Sequence, residues 1–339
     1  MIAAAWNSRT HAVAPGETGL PAVSVGVVIP AFNQAKYLAD AIESVLAQTH
    51  PADEIIVVDD GSTDDPARVV ASFPKAVLIR QNNRGLAGAR TTGLRNCTTC
   101  YVVFLDADDR LLPTALEAGL ACIATRPQCA FVYGGYRLIS EDGRAITRDY
   151  FSPISGDTHL AFLRGNPISA HHSVLYRRES LLAVNGFDET LRRSEDRDLY
   201  LRIAQRYPIA CHPEVVAEYR RHGQNATNDH AAMLKSSVGV LNRHASRIVI
   251  DSRTRKALRE GRTAAKNLYG YRMLTAAKVR WRETHDIVGL IADYVLAARL
   301  APAPTFRKLF GTIGHRASTV LPHTIVRWME AIRGRPYQE

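Results

Sequence analysis

The chain has 339 residues, enough for one large domain or two medium ones, and its 46% hydrophobic and 22% charged residues are typical of a globular protein. Its net charge of +10 is unevenly spread, because residues 231–339 carry 20 Lys and Arg against 7 Asp and Glu, which leaves −3 for the first 230 residues. No run of 18 apolar residues occurs, which excludes a transmembrane helix, and residues 1–21 lack the apolar core of a secretory signal.

The five cysteines do not form a recognisable metal motif. Cys97 and Cys100 make one Cys-x-x-Cys pair, but no second pair is present to complete a zinc site. Reduced thiols in a cytoplasmic protein are therefore expected.

The first 125 residues alternate between predicted strands and helices. Residues 1–21 are predicted to be a flexible arm. Apolar runs predict strands at Val23–Ile29, Glu54–Val58, Ala76–Ile79 and Tyr101–Leu105, the first of them ended by Pro30. Helical spacing or turn residues predict helices at 37–48, 86–96 and 113–125. Another helix is predicted after Ser62, Thr63 and Asp64, which are good helix-capping residues. This alternation predicts a mostly parallel sheet flanked by helices.

Three of these strands end in residues that suit ligand binding. The ends are Pro30-Ala31-Phe32, Asp59-Asp60 and Asp106-Ala107-Asp108, and parallel strands would bring them to one edge of the sheet. Asp106 and Asp108 are two residues apart, so they point the same way in an extended segment. Paired carboxylate oxygens suit Mg²⁺ or Mn²⁺, which also takes oxygens from a substrate phosphate. The alternative is a polar loop that caps the next helix.

The second half changes pattern. Strands are predicted at Phe131–Ile139, before a hairpin turn at 141–143, and at Ser173–Tyr176 and Ile209–Tyr219, so the sheet becomes mixed. The domain interpretation is one sheet domain with halves at 22–125 and 126–228, followed by a basic helical region at 229–339. Short helices are predicted at 156–163 and 178–184, a longer one opened by 194–198, an amphipathic one along 287–298, and more basic helices within 309–332.

Seven short motifs follow one another in residues 23–228. They are Val-Val-Ile-Pro-Ala-Phe-Asn at 27–33, Val-Asp-Asp-Gly-Ser-Thr-Asp at 58–64, Asn-Arg-Gly-Leu-Ala-Gly-Ala-Arg at 83–90, Leu-Asp-Ala-Asp-Asp at 105–109, Gly-Phe-Asp-Glu at 186–189, Ser-Glu-Asp-Arg-Asp-Leu at 194–199 and Tyr-Arg-Arg-His at 219–222. Together they resemble the motifs of inverting family 2 glycosyltransferases with the GT-A fold, of the type that builds bacterial polysaccharide and cell envelope, in which 22–125 would be the nucleotide-binding half and 126–228 the acceptor half. The resemblance implies a nucleotide-sugar donor, with a UDP-sugar favoured, a divalent metal (Mn²⁺ or Mg²⁺) and an acceptor hydroxyl on a glycan or lipid-linked glycan.

The resemblance also implies site residues. The nucleotide sugar would contact Pro30, Ala31, Phe32, Asp60, Arg90, Asp106 and Ala107, with Asp60 at the base and Arg90 near the diphosphate. The metal would be held by Asp108, Asp106 and His222. Asp196 would be the general base, with Glu195 as the alternative base. Alternatively, both acids have no catalytic role and only stabilise the first turn of a helix through its dipole.

The predicted function is therefore sugar transfer by a single in-line displacement, in a cytoplasmic protein. The basic C-terminal region is predicted to bind the anionic inner face of the plasma membrane. The alternative is that this region forms a solvated helical bundle. A nucleotidyltransferase is a second interpretation, but it typically has a basic Gly-rich loop after the first strand. A third is a sugar-nucleotide or polyanion binding protein without catalysis, which would not need Asp196. No nucleic acid partner is expected, because no recognised motif is present.

Overall fold

The computed structural model describes residues 23–146 and 149–305. Its centre is an eight-stranded sheet in the order β3-β2-β1-β4-β7-β6-β8-β5. The strands are β1 (Val25–Ala31), β2 (Glu54–Asp59), β3 (Ala76–Arg80), β4 (Tyr101–Phe104), β5 (Arg110–Leu111), β6 (Phe131–Ile139), β7 (Val174–Arg177) and β8 (Ala210–Arg220). The predicted arm at 1–21 and the helices predicted at 309–332 lie outside the described residues.

The first four strands are parallel, as the alternation predicted. The prediction that Pro30 ends the first strand is wrong, because β1 continues to Ala31 and Pro30 pairs with Val58 of β2. The carbonyl of Val28 accepts from the N–H of Leu105 on the β4 side, so the nitrogen of Pro30 also faces that side. The pairing of β1 with β4 ends at Val28 and Phe104, so β4 offers no partner at position 30. The N–H that Pro30 lacks would therefore have made no hydrogen bond in the sheet.

The other half of the sheet is mixed, as expected. β7 is antiparallel to both β4 and β6, whereas β6 and β8 are parallel with register shifts around Gly135. The turn after β6 is confirmed by backbone bonds between Ser140 and Arg144. The sequence did not predict β5, which has only two residues and pairs with β8 at the sheet edge.

Helices cover both faces of the sheet. They are α1 (Ala35–Leu46), α2 (Pro66–Val70), α3 (Leu86–Asn96), α4 (Ala115–Ala124), α5 (Thr158–Arg164), α6 (Arg178–Ala183), α7 (Glu195–Ala204), α8 (His230–Ala245), α9 (Ser252–Thr284) and α10 (Ile287–Leu300). Successive residues of a strand point to opposite faces, so Val27 and Ile29 pack in one core cluster and Val28 packs in the other.

The helices after residue 229 pack against the sheet domain. Val240, Leu241 and Leu258 belong to the same core cluster as Phe104 of β4. α9 approaches α5 so closely that a Cβ on Gly261 would lie 1.9 Å from the carbonyl oxygen of Leu163, so only glycine fits there. None of the helices in the described part of the chain is long and apolar enough to span a bilayer.

Candidate active site

A cleft of about 600 Å³ opens at the carboxyl ends of β1, β2 and β4. The predicted site residues that line it are Pro30, Ala31, Phe32, Asp60, Arg90, Asp106, Ala107, Asp108, Glu195 and Asp196. His222, the remaining predicted residue, reaches this cleft through its contact with Asp108. The convergence of the strand ends, expected from the sequence, is therefore present in the structure.

The loops after β1 and β2 hold each other in place at one end of the cleft. Asn33 has a left-handed backbone, its N–H donates to the Ser62 hydroxyl, and its side-chain oxygen accepts from the Thr63 N–H. Asp64 accepts from the N–H of Ala35, which begins α1. The prediction that residues 62–64 cap α2 is wrong, because these side chains turn back towards the neighbouring strand end.

Asp60 does not cap a helix either. Its carboxylate is buried and accepts from the side chain of Gln81 and from the backbone N–H groups of Arg84 and Gly85 at 2.6–2.8 Å. It therefore shapes the loop before α3, where Gly85 has a φ of +81°. The contact between Asp60 and a nucleobase stays a prediction.

Arg90 joins the two halves of the site. Its side chain is 2% exposed, and its two terminal nitrogens lie 2.6 Å from Asp106 and 2.7 Å from Glu195. Burial acts to lower the pKa of Arg90, but the two carboxylates together raise it by more than burial lowers it. The net shift is upward, so Arg90 keeps its charge. The guanidinium was predicted to approach a diphosphate, and in this structure it is bound by protein carboxylates from two distant segments.

Asp108 and His222 form the part of the site best suited to a metal ion. The His222 Nε2 atom lies 2.9 Å from Asp108 Oδ2 and 3.2 Å from Asn225 Nδ2, and Nδ1 accepts from the N–H of Gln224. A carboxylate oxygen such as that of Asp108 suits Mn²⁺ or Mg²⁺, and His222 Nε2 is the nitrogen beside it. Within residues 23–146 and 149–305, no three His, Cys, Asp or Glu side chains converge into a complete protein-only site. Oxygens of a diphosphate would have to supply the other ligands.

Asp109, the third acid after β4, has a structural role. Asp109 is 1% exposed and accepts from the Arg220 N–H at 2.7 Å, while its other oxygen lies 3.2 Å from His172 Nδ1. Burial, together with the charges of Asp108 and Asp106, raises the pKa of Asp109 well above its usual value. The side chain of Arg220 donates to the Asp108 carbonyl and so fixes this turn.

Glu195 and Asp196 begin α7 but have different surroundings. Glu195 is buried against Arg90, and burial raises its pKa to about 7, with Asp196 adding to the effect. Asp196 is partly exposed, accepts from the Arg197 N–H at 2.7 Å, and also has a raised pKa because of burial. The preceding Ser194 has a φ of +58°, a strained conformation for a residue with a side chain.

The predicted site residues do not include several residues of this cleft. Among them are Arg192, Arg193 and Ser194, which line it beside the two acids. A Cβ on Gly85 would lie 2.6 Å from the guanidinium of Arg192, so this arginine covers the loop before α3. Their position directly before Glu195 was the available signal, but a pattern of charged residues does not say which of them faces a cleft.

The sheet and the acid-lined cleft at its carboxyl edge correspond to a GT-A fold. Residues 26–184, just under half of the chain, match the model for Glycosyl transferase family 2. The chain is 31% identical over 207 residues to a chondroitin synthase of Escherichia coli, which covers 60% of this chain and 30% of that protein. It spans about a third of the length of such curated relatives.

Solved structures agree in fold. TarS of S. aureus in complex with UDP-GlcNAc has a TM-score of 0.56 at 15% identity, over 84% of this chain and 83% of that one. The mannosyltransferase PcManGT of Pyrobaculum calidifontis, in complex with GDP-Man and Mn²⁺, has a TM-score of 0.57 at 19% identity, over 91% of this chain and 84% of that one. The comparisons support sugar transfer over the nucleotidyltransferase interpretation.

Proposed function

We propose that this protein is a metal-dependent inverting glycosyltransferase that moves a sugar from a nucleotide diphosphate, preferably UDP, to a hydroxyl of a glycan or lipid-linked glycan in bacterial envelope or exopolysaccharide synthesis. The observation that carries the proposal is the position of Asp196. It lines the donor cleft and also a larger neighbouring groove, whereas Glu195 lines only the first. Asp196 can therefore meet a donor on one side and an acceptor on the other.

The reaction follows from that position. The acceptor hydroxyl gives its proton to Asp196 as its oxygen forms a bond to the anomeric carbon. The bond from that carbon to the phosphate oxygen breaks, and its electron pair leaves with the nucleotide diphosphate. A divalent ion held by Asp108 and His222 would neutralise the charge on the leaving diphosphate. Arg90 holds Glu195 and Asp106 in place and acts through them as a positioning residue.

Burial raises the pKa of both Asp196 and Glu195, which suits a general base in either position, so the choice between them rests on geometry. Glu195 is less suited, since its Oε1 atom is occupied by Arg90. The donor would lie along residues 30–32, with Asp60, Asp106 and Ala107 towards the nucleotide.

The test compares Asp196→Asn with Glu195→Gln. We expect Asp196→Asn to lower transfer by about 10²–10⁴-fold, the usual contribution of a general base, with UDP affinity changed less than about threefold. Glu195→Gln should retain transfer within about tenfold, because its amide oxygen still accepts from Arg90. A larger loss in Glu195→Gln than in Asp196→Asn would move the base to Glu195.

Donor and metal are tested by calorimetry with a panel of nucleotide sugars in Mn²⁺, in Mg²⁺ and in chelator. We expect one nucleotide to bind, with affinity at least tenfold lower in chelator. No binding of any nucleotide sugar under any of these conditions would contradict the proposal.

The second half of the proposal is attachment to the cytoplasmic face of an anionic membrane. On α10, Ile287, Val288, Ile291 and Val295 are 55–74% exposed and lie on neighbouring turns. Such an exposed apolar face is typical of a helix that lies on a lipid surface. The double variant Ile291→Gln, Val295→Gln should float less with liposomes containing phosphatidylglycerol, whereas Val77→Gln, on the distant strand β3, should float like the parent. Equal flotation of all three would reject α10 as the anchor.

A further inference from the structure

A second cavity of about 1570 Å³ lies beside the donor cleft. Its walls come from the sheet at Tyr136 and Tyr219, from the start of α7, and from α8 and α9. Asp196 and Ser194 line both cavities, so the two spaces meet at the proposed base. The larger cavity is therefore placed where an acceptor would enter.

The walls of this cavity carry an excess of positive charge. Five arginines line it, against the acids Asp196 and Glu283; they are Arg164, Arg197, Arg221, Arg272 and Arg280. Arg164 pairs with Glu260 and Arg280 pairs with Asp293, both outside the lining. Among the residues that the structure describes, the other three arginines have no carboxylate oxygen within 4.0 Å.

Arg197 is the most informative of the three. It is 4% exposed, and its terminal nitrogens donate to the Ser237 hydroxyl and to the carbonyls of Phe162 and Leu163. Its Nε atom is buried and has no hydrogen-bond partner among the described residues. A buried cation with no carboxylate at ion-pair distance is costly, and burial lowers the pKa of Arg197 to about 10, although the charges of Tyr269 and Asp196 act to raise it. An anion in the cavity would relieve this cost.

Arg221 and Arg272 are placed differently. Their guanidinium groups lie 5.9 Å from the rings of Tyr219 and Tyr269, respectively, and all four side chains line the cavity. Each pair offers a fixed charge beside a flat apolar ring. A sugar that carries an anionic group presents the complementary combination of an apolar ring face and a negative charge.

We infer that the acceptor is an anionic glycan whose carboxylate or phosphate is bound by Arg197, Arg221 and Arg272 while its hydroxyl faces Asp196. This inference rests on the proposed function, because it assigns the substrate class of the same site. The charge would fix the orientation of the acceptor, and a neutral glycan of the same shape would leave the three arginines without an ion-pair partner.

The test measures binding of three soluble probes by calorimetry. The probes are a tetrasaccharide containing glucuronate, its carboxyl-reduced neutral copy and a tetrasaccharide phosphate of the same length. The protein variants are Arg221→Gln, Arg272→Gln and, as a control on the exposed side of the same helix α9, Arg255→Gln. UDP affinity is measured in each sample.

We expect at least one charged probe to bind tenfold or more tightly than the neutral copy, and the difference between the two charged probes identifies carboxylate or phosphate as the group recognised. Arg221→Gln and Arg272→Gln should each reduce that preference about tenfold, whereas Arg255→Gln should retain it. Equal binding of charged and neutral probes, no binding of either charged probe, or an equal loss in Arg255→Gln would each overturn the inference. If UDP still binds in that case, the proposed function stands, and if UDP does not bind, the proposed function fails as well.

Discussion

Replacing Arg90 with Met should destabilise the protein in a pH-dependent way. Arg90 is the buried cation between Asp106 and Glu195, and the substitution leaves two carboxylates without their partner. Breaking a buried ion pair by removing one member typically costs about 3–5 kcal/mol of unfolding free energy. We expect a loss of that size at pH 8.

The pH dependence comes from Glu195. Its pKa of about 7 lies above the usual 4.5 of the unfolded chain, so the folded state holds more protons than the unfolded state between these values. Stability therefore falls as pH rises through that window, by about 1.4 kcal/mol per pH unit for one group. Because Arg90 lowers the pKa of Glu195, its removal raises that pKa further and extends the fall above pH 7. The variant should lose about 1 kcal/mol more than the parent between pH 6 and pH 8.

The assay is urea unfolding followed by far-ultraviolet circular dichroism at pH 6, 7 and 8. Arg164→Gln, which breaks a half-exposed pair with Glu260, serves as the control and should lose less than about 1 kcal/mol. Adding Glu195→Gln to Arg90→Met should remove the pH-dependent part of the loss, because the carboxyl group that titrates in this range is then absent. A loss below about 1 kcal/mol at pH 8, or one that is equal at all three pH values, would refute the reasoning.

Three further predictions concern other parts of the molecule. Burial lowers the pKa of His244 to about 4, with the neighbouring His159 adding to the effect. The free energy of unfolding should therefore fall as pH drops from 6.5 to 4. His244→Gln should reduce that slope by about 1.4 kcal/mol per pH unit, as measured by unfolding at a series of acidic pH values. His285→Gln, at an exposed position, is the control, and an unchanged slope in His244→Gln would contradict the assignment. Gly261→Ala should lower the melting temperature by several degrees in calorimetry, because its Cβ would overlap the Leu163 carbonyl, whereas Gly239→Ala, where the Cβ meets open space, should not. His222→Gln should weaken nucleotide affinity in Mn²⁺ about tenfold and leave it unchanged in chelator; equal weakening in both would remove His222 from the metal site.

Part of the fold and of the site could be predicted from the sequence because the evidence is local. An apolar run that ends in acids, as at residues 101–109, indicates a buried strand and its carboxyl end without any distant information. The prediction at Pro30 failed because the cost of a missing N–H depends on which neighbour that N–H would face, and pairing is set by tertiary structure.

The partners of the site residues could not be predicted from the sequence. Arg90 and Glu195 are 105 positions apart, and Asp108 and His222 are 114 apart, so no local pattern could indicate that they meet. The same holds for the three acids at 106, 108 and 109, which look equivalent in the sequence and acquire different partners and different exposure in the fold.

The sequence by itself determined which residues could carry the chemistry and at which edge of the sheet they would collect, because strand direction and side-chain alternation are local properties of the chain. Only the tertiary structure decided that Glu195 is buried against Arg90 while Asp196 faces two cavities. It also decided that α9, held against α5 at Gly261, forms the wall of an arginine-lined groove. Burial and charge pairing depend on distances between segments far apart in the chain, and these exist only after the chain has folded.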